Sequence, residues 1–230
     1  MLILSVDSTA TPASVCLYED RILADYFINT KLTHSQTLVS MIDSVFKVTG
    51  RSMDEVDLFA VNNGPGSFTG VRIGVSAVKG MAYAEDKPCV AVSTLESMAY
   101  NTLDFDGIVC ACMDARRNQV YNALFRVKNG TVERICDDRA ISVDDLLSEL
   151  EGIDERICLL GDGAKLVFDA AKKVERIFLA SENIRYQNAS STALIASLKY
   201  QKGEILNSAQ ITPSYLRLSQ AERERQNQKG

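Results

Sequence analysis

The chain has 230 residues, of which 46% are hydrophobic and 24% charged, and its formal net charge is −5. This is the composition of a globular protein with room for one large or two small domains. The acidic balance argues against a free-standing nucleic-acid binder, which would present a basic face. The short apolar N-terminus reaches Asp7 without a basic leader, so we predict no signal peptide, and no apolar run approaches the roughly 20 residues of a membrane span.

The first part of the chain alternates strand and helix patterns. Apolar, β-branched segments bounded by turns predict strands at residues 2–7, 13–19, 22–28, 57–61 and 88–93. Helix signals predict helices at 33–48, at 52–55 through a capping box, after the glycine-rich loop, and at 95–103. The predicted order is βββαβαβα.

The second part repeats this order. Strand patterns cover residues 107–115, 119–127, 131–136, 156–161 and 176–180. Helix patterns open at Ser142, with Asp145 in the capping-box position, and at 164–173 and 190–201. The repeat predicts an α/β, duplicated ribonuclease H-like fold of the actin, hexokinase and Hsp70 superfamily, with halves at 1–104 and 105–218. The charged, polar tail at 219–230 is predicted to be disordered.

The stretch "GPGSFTG" from Gly64 to Gly70 is the most unusual motif. It is not a P-loop, because no lysine follows until Lys79. Backbone donors at the start of the following helix could attract an anion. The candidate anion-binding residues are Gly64, Gly66, Ser67 and Thr69.

The fold predicted above usually binds ATP between its halves, where glycines let the backbone approach phosphate. Here the first turn, "DSTATPAS", has no glycine, and the equivalent hairpin has Arg116 and Arg117, which favour a solvated turn. The run "GDG" at 161–163 fits either an adenosine-flanking loop or a plain strand-to-helix turn. A small actin-superfamily kinase or nucleotide-binding protein, such as one of the type III pantothenate kinase kind, remains the alternative function.

The sequence offers few side chains for metal binding or nucleophilic catalysis. His34 is the one histidine, which rules out a two-histidine metal site, and no Cys-x-x-Cys pair is present. Cys110 and Cys112 alternate on one face of a strand, a pattern more typical of core than of a metal pair. The cysteines indicate reduced thiols in a cytoplasmic protein. We therefore predict no catalytic and no metal-binding residues.

The sequence "GPGSFTGVRIG" resembles the signature of the TsaB family. The resemblance extends in order through "STATPASVCLY", "HSQTLVSMID", "DARRNQVYNALF", "GDGA" and "PSYLRLSQAERE". TsaB proteins are the bacterial partner subunits, and paralogues, of TsaD, which carries the chemistry of threonylcarbamoyladenosine formation in tRNA. TsaD proteins have a His-x-x-x-His metal pair where this sequence has Thr94 and Met98, with Glu96 between them.

The resemblance implies a non-catalytic scaffold that binds TsaD, and with it the ATPase TsaE, for threonylcarbamoyl transfer to adenosine 37 of tRNA. It implies a homodimer in isolation, ATP used by the complex, no cofactor bound by this chain alone, and contact with tRNA only through the complex. Weak or no tRNA binding by the isolated chain is expected, because its arginines near the C-terminus alternate with glutamates.

The helix after the glycine loop has a broad apolar arc with a stripe of small residues, which favours close approach of another helix. The helix at 33–48 has a similar arc. The alternative is that the two helices pack inside one chain. The predicted partner interface comprises Leu38, Met41, Ile42, Val45, Gly70, Ile73, Gly74, Ala77 and Met81.

Overall fold

Two β-sheets organise the chain in the computed structural model, which describes residues 1–30, 32–171 and 174–217. The tail predicted to be disordered, 219–230, lies outside the described residues. Within the described part, no helix combines the length and apolarity needed to cross a membrane.

The first sheet has the strand order β3-β2-β1-β4-β5. β1, β2 and β3 pair antiparallel, whereas β4 and β5 extend the sheet in parallel from β1. The parallel strands are almost continuously buried, as expected for a sheet covered on both faces. The strands are β1 (Ile3–Asp7), β2 (Ala13–Glu19), β3 (Arg21–Ile28), β4 (Leu58–Gly64) and β5 (Cys89–Ser93).

The second sheet has the order β11-β10-β6-β7-β8, which read from the other end is the order of the first sheet. This repetition confirms the duplicated ribonuclease H-like fold. A short extra strand, β9, pairs with β7 and was not predicted. The strands are β6 (Gly107–Asp114), β7 (Gln119–Lys128), β8 (Thr131–Arg134), β9 (Arg139–Ser142), β10 (Ile157–Leu160) and β11 (Ile177–Leu179).

The helices agree with the sequence patterns except at two places. The helix predicted at 95–103 is a short α-helix followed by a 3-10 turn at Tyr100–Thr102, and the four-residue α6 was missed. The capping box at 52–55 is present, since the backbone amide of Ser52 donates to Glu55 at 2.8 Å. The α-helices are α1 (His34–Thr49), α2 (Phe68–Ala84), α3 (Thr94–Ala99), α4 (Val143–Glu151), α5 (Ala164–Ala170), α6 (Glu182–Arg185) and α7 (Ala189–Gln201).

The halves exchange helices. α1 and α2 pack on one face of the first sheet, but its other face is covered by α7, through Ala189 and Ala193. Conversely, α3 packs Leu95 and Met98 against the second sheet. The predicted boundary at 104/105 falls between the sheets, yet each half supplies a helix to the core of the other.

The chain then returns to the first half. Leu206 pairs with Cys89 through two backbone hydrogen bonds of 2.7 and 2.8 Å, and Ile211 is buried in the core beneath α1 and α2. We call residues 206–217 the C-terminal strap.

Candidate functional site

A cleft of about 590 Å3 lies between the halves. One wall comes from the turn after β1, the start of α1 and the glycine loop, and the other from the hairpin between β6 and β7. The strap borders it through Tyr215 and Arg217. The cleft therefore occupies the position where the predicted fold would place a ligand, and the motifs singled out in the sequence surround it.

The glycines of the loop serve close packing within the chain. A β-carbon on Gly64, Gly66 or Gly70 would lie less than 3.0 Å from a backbone carbonyl oxygen of the same chain, and one on Gly74 would displace a serine hydroxyl. The neighbouring atoms are the carbonyl oxygen of Ser214 for Gly64, that of Thr9 for Gly66, that of Ser8 for Gly70, and the hydroxyl oxygen of Ser8 for Gly74. The glycine stretch thus joins the start of α2 to the β1–β2 turn and to the strap.

This packing buries six of the nine residues of the predicted partner interface within the chain itself, and an interface on α1 and α2 stays a prediction. Gly70 and Gly74 face Ser8 of their own chain, because their lack of a side chain lets α2 approach the β1–β2 turn. The residues predicted on the first helix are buried in the core under α1 and α2; these are Leu38, Met41, Ile42 and Val45. Ile73, Ala77 and Met81 are half-buried and pack against the same core.

Three other apolar side chains on α1 and α2 are more exposed than these half-buried ones. Val39 and Val48 of α1 are 70% and 64% exposed, and Tyr83 of α2 is 80% exposed. Their exposure could have been predicted from the sequence, since each is a large apolar residue that lies off the buried stripe of its helix. The sequence alone could not separate the core-facing stripe from the outward one, because a helical wheel does not show which apolar face meets the sheet.

The predicted anion-binding residues are only partly directed at the cleft. Gly66, Ser67 and Thr69 line it, whereas Gly64 packs against the strap. The amide of Ser67 donates to the carbonyl of Thr9 at 2.6 Å, and its hydroxyl caps α2 by accepting from the amide of Gly70 at 3.4 Å. These groups are engaged within the chain, and anion binding by the loop stays a prediction.

A buried carboxyl anchors the first turn. Asp7 is fully buried and accepts hydrogen bonds from the amide of Thr9 at 3.1 Å and from the side chain of Asn62. Burial raises the pKa of Asp7, and the hydrogen bonds from Asn62 and Thr9 partly oppose that rise. His34, the first residue of α1, bonds through Nε2 to the carbonyl of Ala10 at 2.7 Å. These contacts hold the turn against β4 and α1.

The opposite hairpin adopts a backbone that favours glycine, although it contains none. Arg116, Arg117 and Asn118 have φ angles of +65°, +57° and +56°. The arginine side chains are exposed, as predicted for a solvated turn, and Arg116 pairs with Asp114 at 3.1 Å. The cleft wall on this side therefore carries charged side chains where a phosphate hairpin would present bare backbone.

The "GDG" run is a strand-to-helix turn packed on β6. Gly161 has a φ of +96°, and a β-carbon there would collide with the carbonyl of Cys112. Asp162, which lines the cleft, accepts a hydrogen bond from the amide of Asp114 at 3.0 Å. Loss of water around its carboxyl raises the pKa of Asp162, and the nearby Asp114 carboxylate adds to the rise.

The positions of the TsaD metal pair lie in the core. Thr94 and Met98 are fully buried, and Glu96 lies 3.7 Å from Arg134 and 3.9 Å from Lys199. Among the residues that the structure describes, no group of three or more His, Cys, Asp or Glu side chains could hold a metal ion.

The cysteine pair on β6 also lies in the core. The sulfur atoms of Cys110 and Cys112 are 3.5 Å apart, and both residues are buried beside Asn122, whose amide nitrogen lies 3.4 Å from the sulfur of Cys110. This agrees with the preference for core over a metal pair.

Comparison with known proteins identifies the family. A family model described as "TsaD: tRNA N6-adenosine threonylcarbamoyltransferase" matches residues 21–224. The chain is 33% identical over 225 residues to the tRNA threonylcarbamoyladenosine biosynthesis protein TsaB of Bacillus subtilis, covering 96% of each chain. Against the protein of the same name from Escherichia coli it is 27% identical over 220 residues, covering 94% of this chain and 95% of that one.

A solved structure agrees. The crystal structure of an uncharacterized protein with similarity to peptidase YEAZ from Pseudomonas aeruginosa superposes with a TM-score of 0.80 at 25% identity, covering 94% of this chain and 99% of that one. The signature around the glycine loop, the duplicated fold and the length of the match all agree with these relatives. The chain belongs to the TsaB family of tRNA threonylcarbamoyladenosine biosynthesis proteins.

Proposed function

We propose that this chain is a non-catalytic partner subunit that binds a TsaD-type protein and, with it, a TsaE-type ATPase. The complex transfers threonylcarbamoyl to adenosine 37 of tRNA in the cytoplasm. In this proposal the complex uses ATP and holds the tRNA, while the chain alone binds neither a cofactor nor RNA tightly.

The observation that carries the proposal is the placement of Thr94 and Met98. TsaD proteins carry histidines at these two positions, where they hold a metal. Here both side chains are fully buried, and Met98 packs from α3 onto the second sheet. Neither side chain offers the imidazole nitrogen that a metal site of that kind requires. The family membership and this loss of ligands together favour a partner over an enzyme.

The outer surface of α1 and α2 supports partner binding. Val39 of α1 and Tyr83 of α2 are 70% and 80% exposed, and exposed aromatic residues are common at interfaces. Val48 lies nine residues after Val39, on the opposite side of α1, and is not part of this surface. We propose that a TsaD-type protein occupies this surface in the complex and that a second copy of the chain occupies it in isolation.

The experiment is a pull-down and light-scattering series with a TsaD-type protein from the same organism. The wild-type chain is expected to form a homodimer alone and a heterodimer with the partner. Val39→Asp is expected to weaken both associations, because it places a charge in an apolar contact. Leu166→Asp is the matched control: Leu166 is also exposed but lies on α5 of the second half.

Activity separates the partner role from catalysis. Threonylcarbamoyladenosine formation is expected only when the TsaD-type protein is present, and strong ATP turnover by the isolated chain would favour the kinase alternative. Equal binding by Val39→Asp and the wild type would place the interface elsewhere.

A further inference from the structure

The strap is firmly attached to the first half. After the pairing of Leu206 with Cys89, the side-chain amide of Asn63 donates to the carbonyl of Thr212 at 3.0 Å. The amide of Ser214 returns a hydrogen bond to the carbonyl of Asn63 at 2.7 Å. The strap therefore follows the end of β4 in a fixed register.

An aromatic contact continues this attachment onto α2. The ring of Tyr215 stacks on Phe68 with centroids 4.8 Å apart, and Arg72 lies over Phe68 at 3.8 Å from the ring centroid. Nε of Arg72 donates to the hydroxyl of Tyr215 at 2.7 Å. Tyr215 is thus held at the edge of the cleft by the first turns of α2.

Arg217 then crosses to the second half. Its guanidinium donates to the carbonyl of Ala115 at 2.9 Å and to the side-chain oxygen of Gln119, and it lies over the ring of Tyr121 at 5.7 Å from the centroid. Ala115 and Gln119 are the residues that flank the left-handed run 116–118. Through the side chain of Arg217, the strap therefore contacts both ends of the left-handed turn.

The hairpin needs such support. Consecutive left-handed residues other than glycine are disfavoured because the β-carbon crowds the following carbonyl. Within the turn, the amide of Ala115 donates to the carbonyl of Gln119 at 3.0 Å and the amide of Gln119 to the carbonyl of Arg116 at 3.2 Å. The amide of Arg116 also donates to the carboxylate of Asp114 at 2.7 Å. Strained backbone of this kind persists only where surrounding contacts fix it.

We propose that the C-terminal strap is a latch across the cleft and that Arg217 is the residue that locks it to the second half. By holding the hairpin in its left-handed form, Arg217 keeps Arg116 at the wall of the cleft and Arg117 exposed in the same turn. Opening of the cleft and movement of these two arginines then depend on release of the same side chain.

The test uses full-length chains and amide hydrogen exchange read by mass spectrometry. Arg217→Leu is expected to speed exchange in the peptide covering 114–119 by about tenfold, which corresponds to the loss of one charge-assisted hydrogen bond. Trypsin cleavage after Arg116 and Arg117 should accelerate by a similar factor. Peptides from the centre of β7 should exchange as in the wild type.

The matched control is Arg126→Leu. Arg126 lies at the far end of β7 and pairs with Glu155 at 2.9 Å, so its loss leaves the strap and the hairpin untouched. Gln119→Leu removes one acceptor of Arg217 while keeping the arginine, and it repeats the test if Arg217→Leu does not fold by circular dichroism.

Two results would overturn the latch. In one, folded Arg217→Leu or Gln119→Leu exchanges and is cleaved at the hairpin at the wild-type rate. In the other, exchange rises along 206–214 but not at 114–119, which would show that Arg217 serves the strap and not the hairpin. Faster exchange at the hairpin, with or without a rise along the strap, supports the proposal.

Discussion

A β-carbon at Gly70 would lie closer than 3.0 Å to the carbonyl oxygen of Ser8, whose own hydroxyl donates to the carbonyl of Gly70 at 2.8 Å. This reciprocal contact ties the first turn of α2 to the β1–β2 turn. It explains why a motif with the composition of a phosphate loop is used here to bring two backbone segments together.

Alanine substitutions at the α2 glycines should change the free energy of unfolding according to what each glycine contacts. Gly70→Ala is expected to lower the free energy of unfolding by about 1–3 kcal/mol, because the new methyl group overpacks against Ser8. Gly80→Ala, in the same helix, should raise it by about 0.5–1 kcal/mol, since nothing lies within 4 Å and alanine is the better helix former. Urea denaturation measures both, and equal effects would contradict the packing role.

Gly74→Arg should act on the folding of the single chain. A β-carbon at Gly74 would stand 2.5 Å from the hydroxyl oxygen of Ser8 and 3.5 Å from Val61, so an arginine at this buried position must displace Ser8 and bring a charge toward the core. We expect little folded protein, by circular dichroism and by recovery in the soluble fraction. A folded Gly74→Arg chain that had lost only its partner would restore the earlier interface prediction.

Ionisation of Asp7 should lower the free energy of unfolding as pH rises. Its pKa is raised in the folded chain above the usual 3.8, so the native state binds a proton that the unfolded state releases. Its stabilising contribution is complete below that usual value and is lost as pH rises through the folded pKa. Asp7→Asn removes this titration. The difference in unfolding free energy, wild type minus Asp7→Asn, should therefore decrease from about pH 4 upward. A difference that stays constant or increases with pH would show that the pKa of Asp7 is not raised in the folded chain.

The thiols should react slowly in the native state. Five of the cysteines are buried and Cys136 is half-buried. Burial raises the pKa of Cys89 to about 11 and that of Cys158 to about 12, so little thiolate forms at these positions near about pH 8. A disulfide reagent such as Ellman's is expected to find at most one fast thiol, Cys136, in the native chain and all six after denaturation. Two or more fast native thiols would contradict this burial.

Much of the architecture follows from local sequence signals. Strands and helices that alternate with clear periodicity were predicted in order, and their repetition was enough to give the duplicated fold. The strand β9 and the helix α6 escaped because neither contains the continuous apolar run that marks the equally short strands β10 and β11. Thr94 and Met98 are likewise read from the sequence alone, whereas the histidine pair at these positions of TsaD proteins is known from the family resemblance.

The sequence by itself determined the duplicated fold, the family resemblance and the absence of a histidine pair, because these depend on residue types and on spacing along the chain. Tertiary structure decided which face of each helix is buried, since a stripe of small residues permits close approach to any neighbour. In this chain the neighbour of Gly70 and Gly74 is Ser8. Tertiary structure also decided the course of the strap, because Arg217 contacts Ala115 across 102 residues of sequence and no local pattern encodes such a pairing.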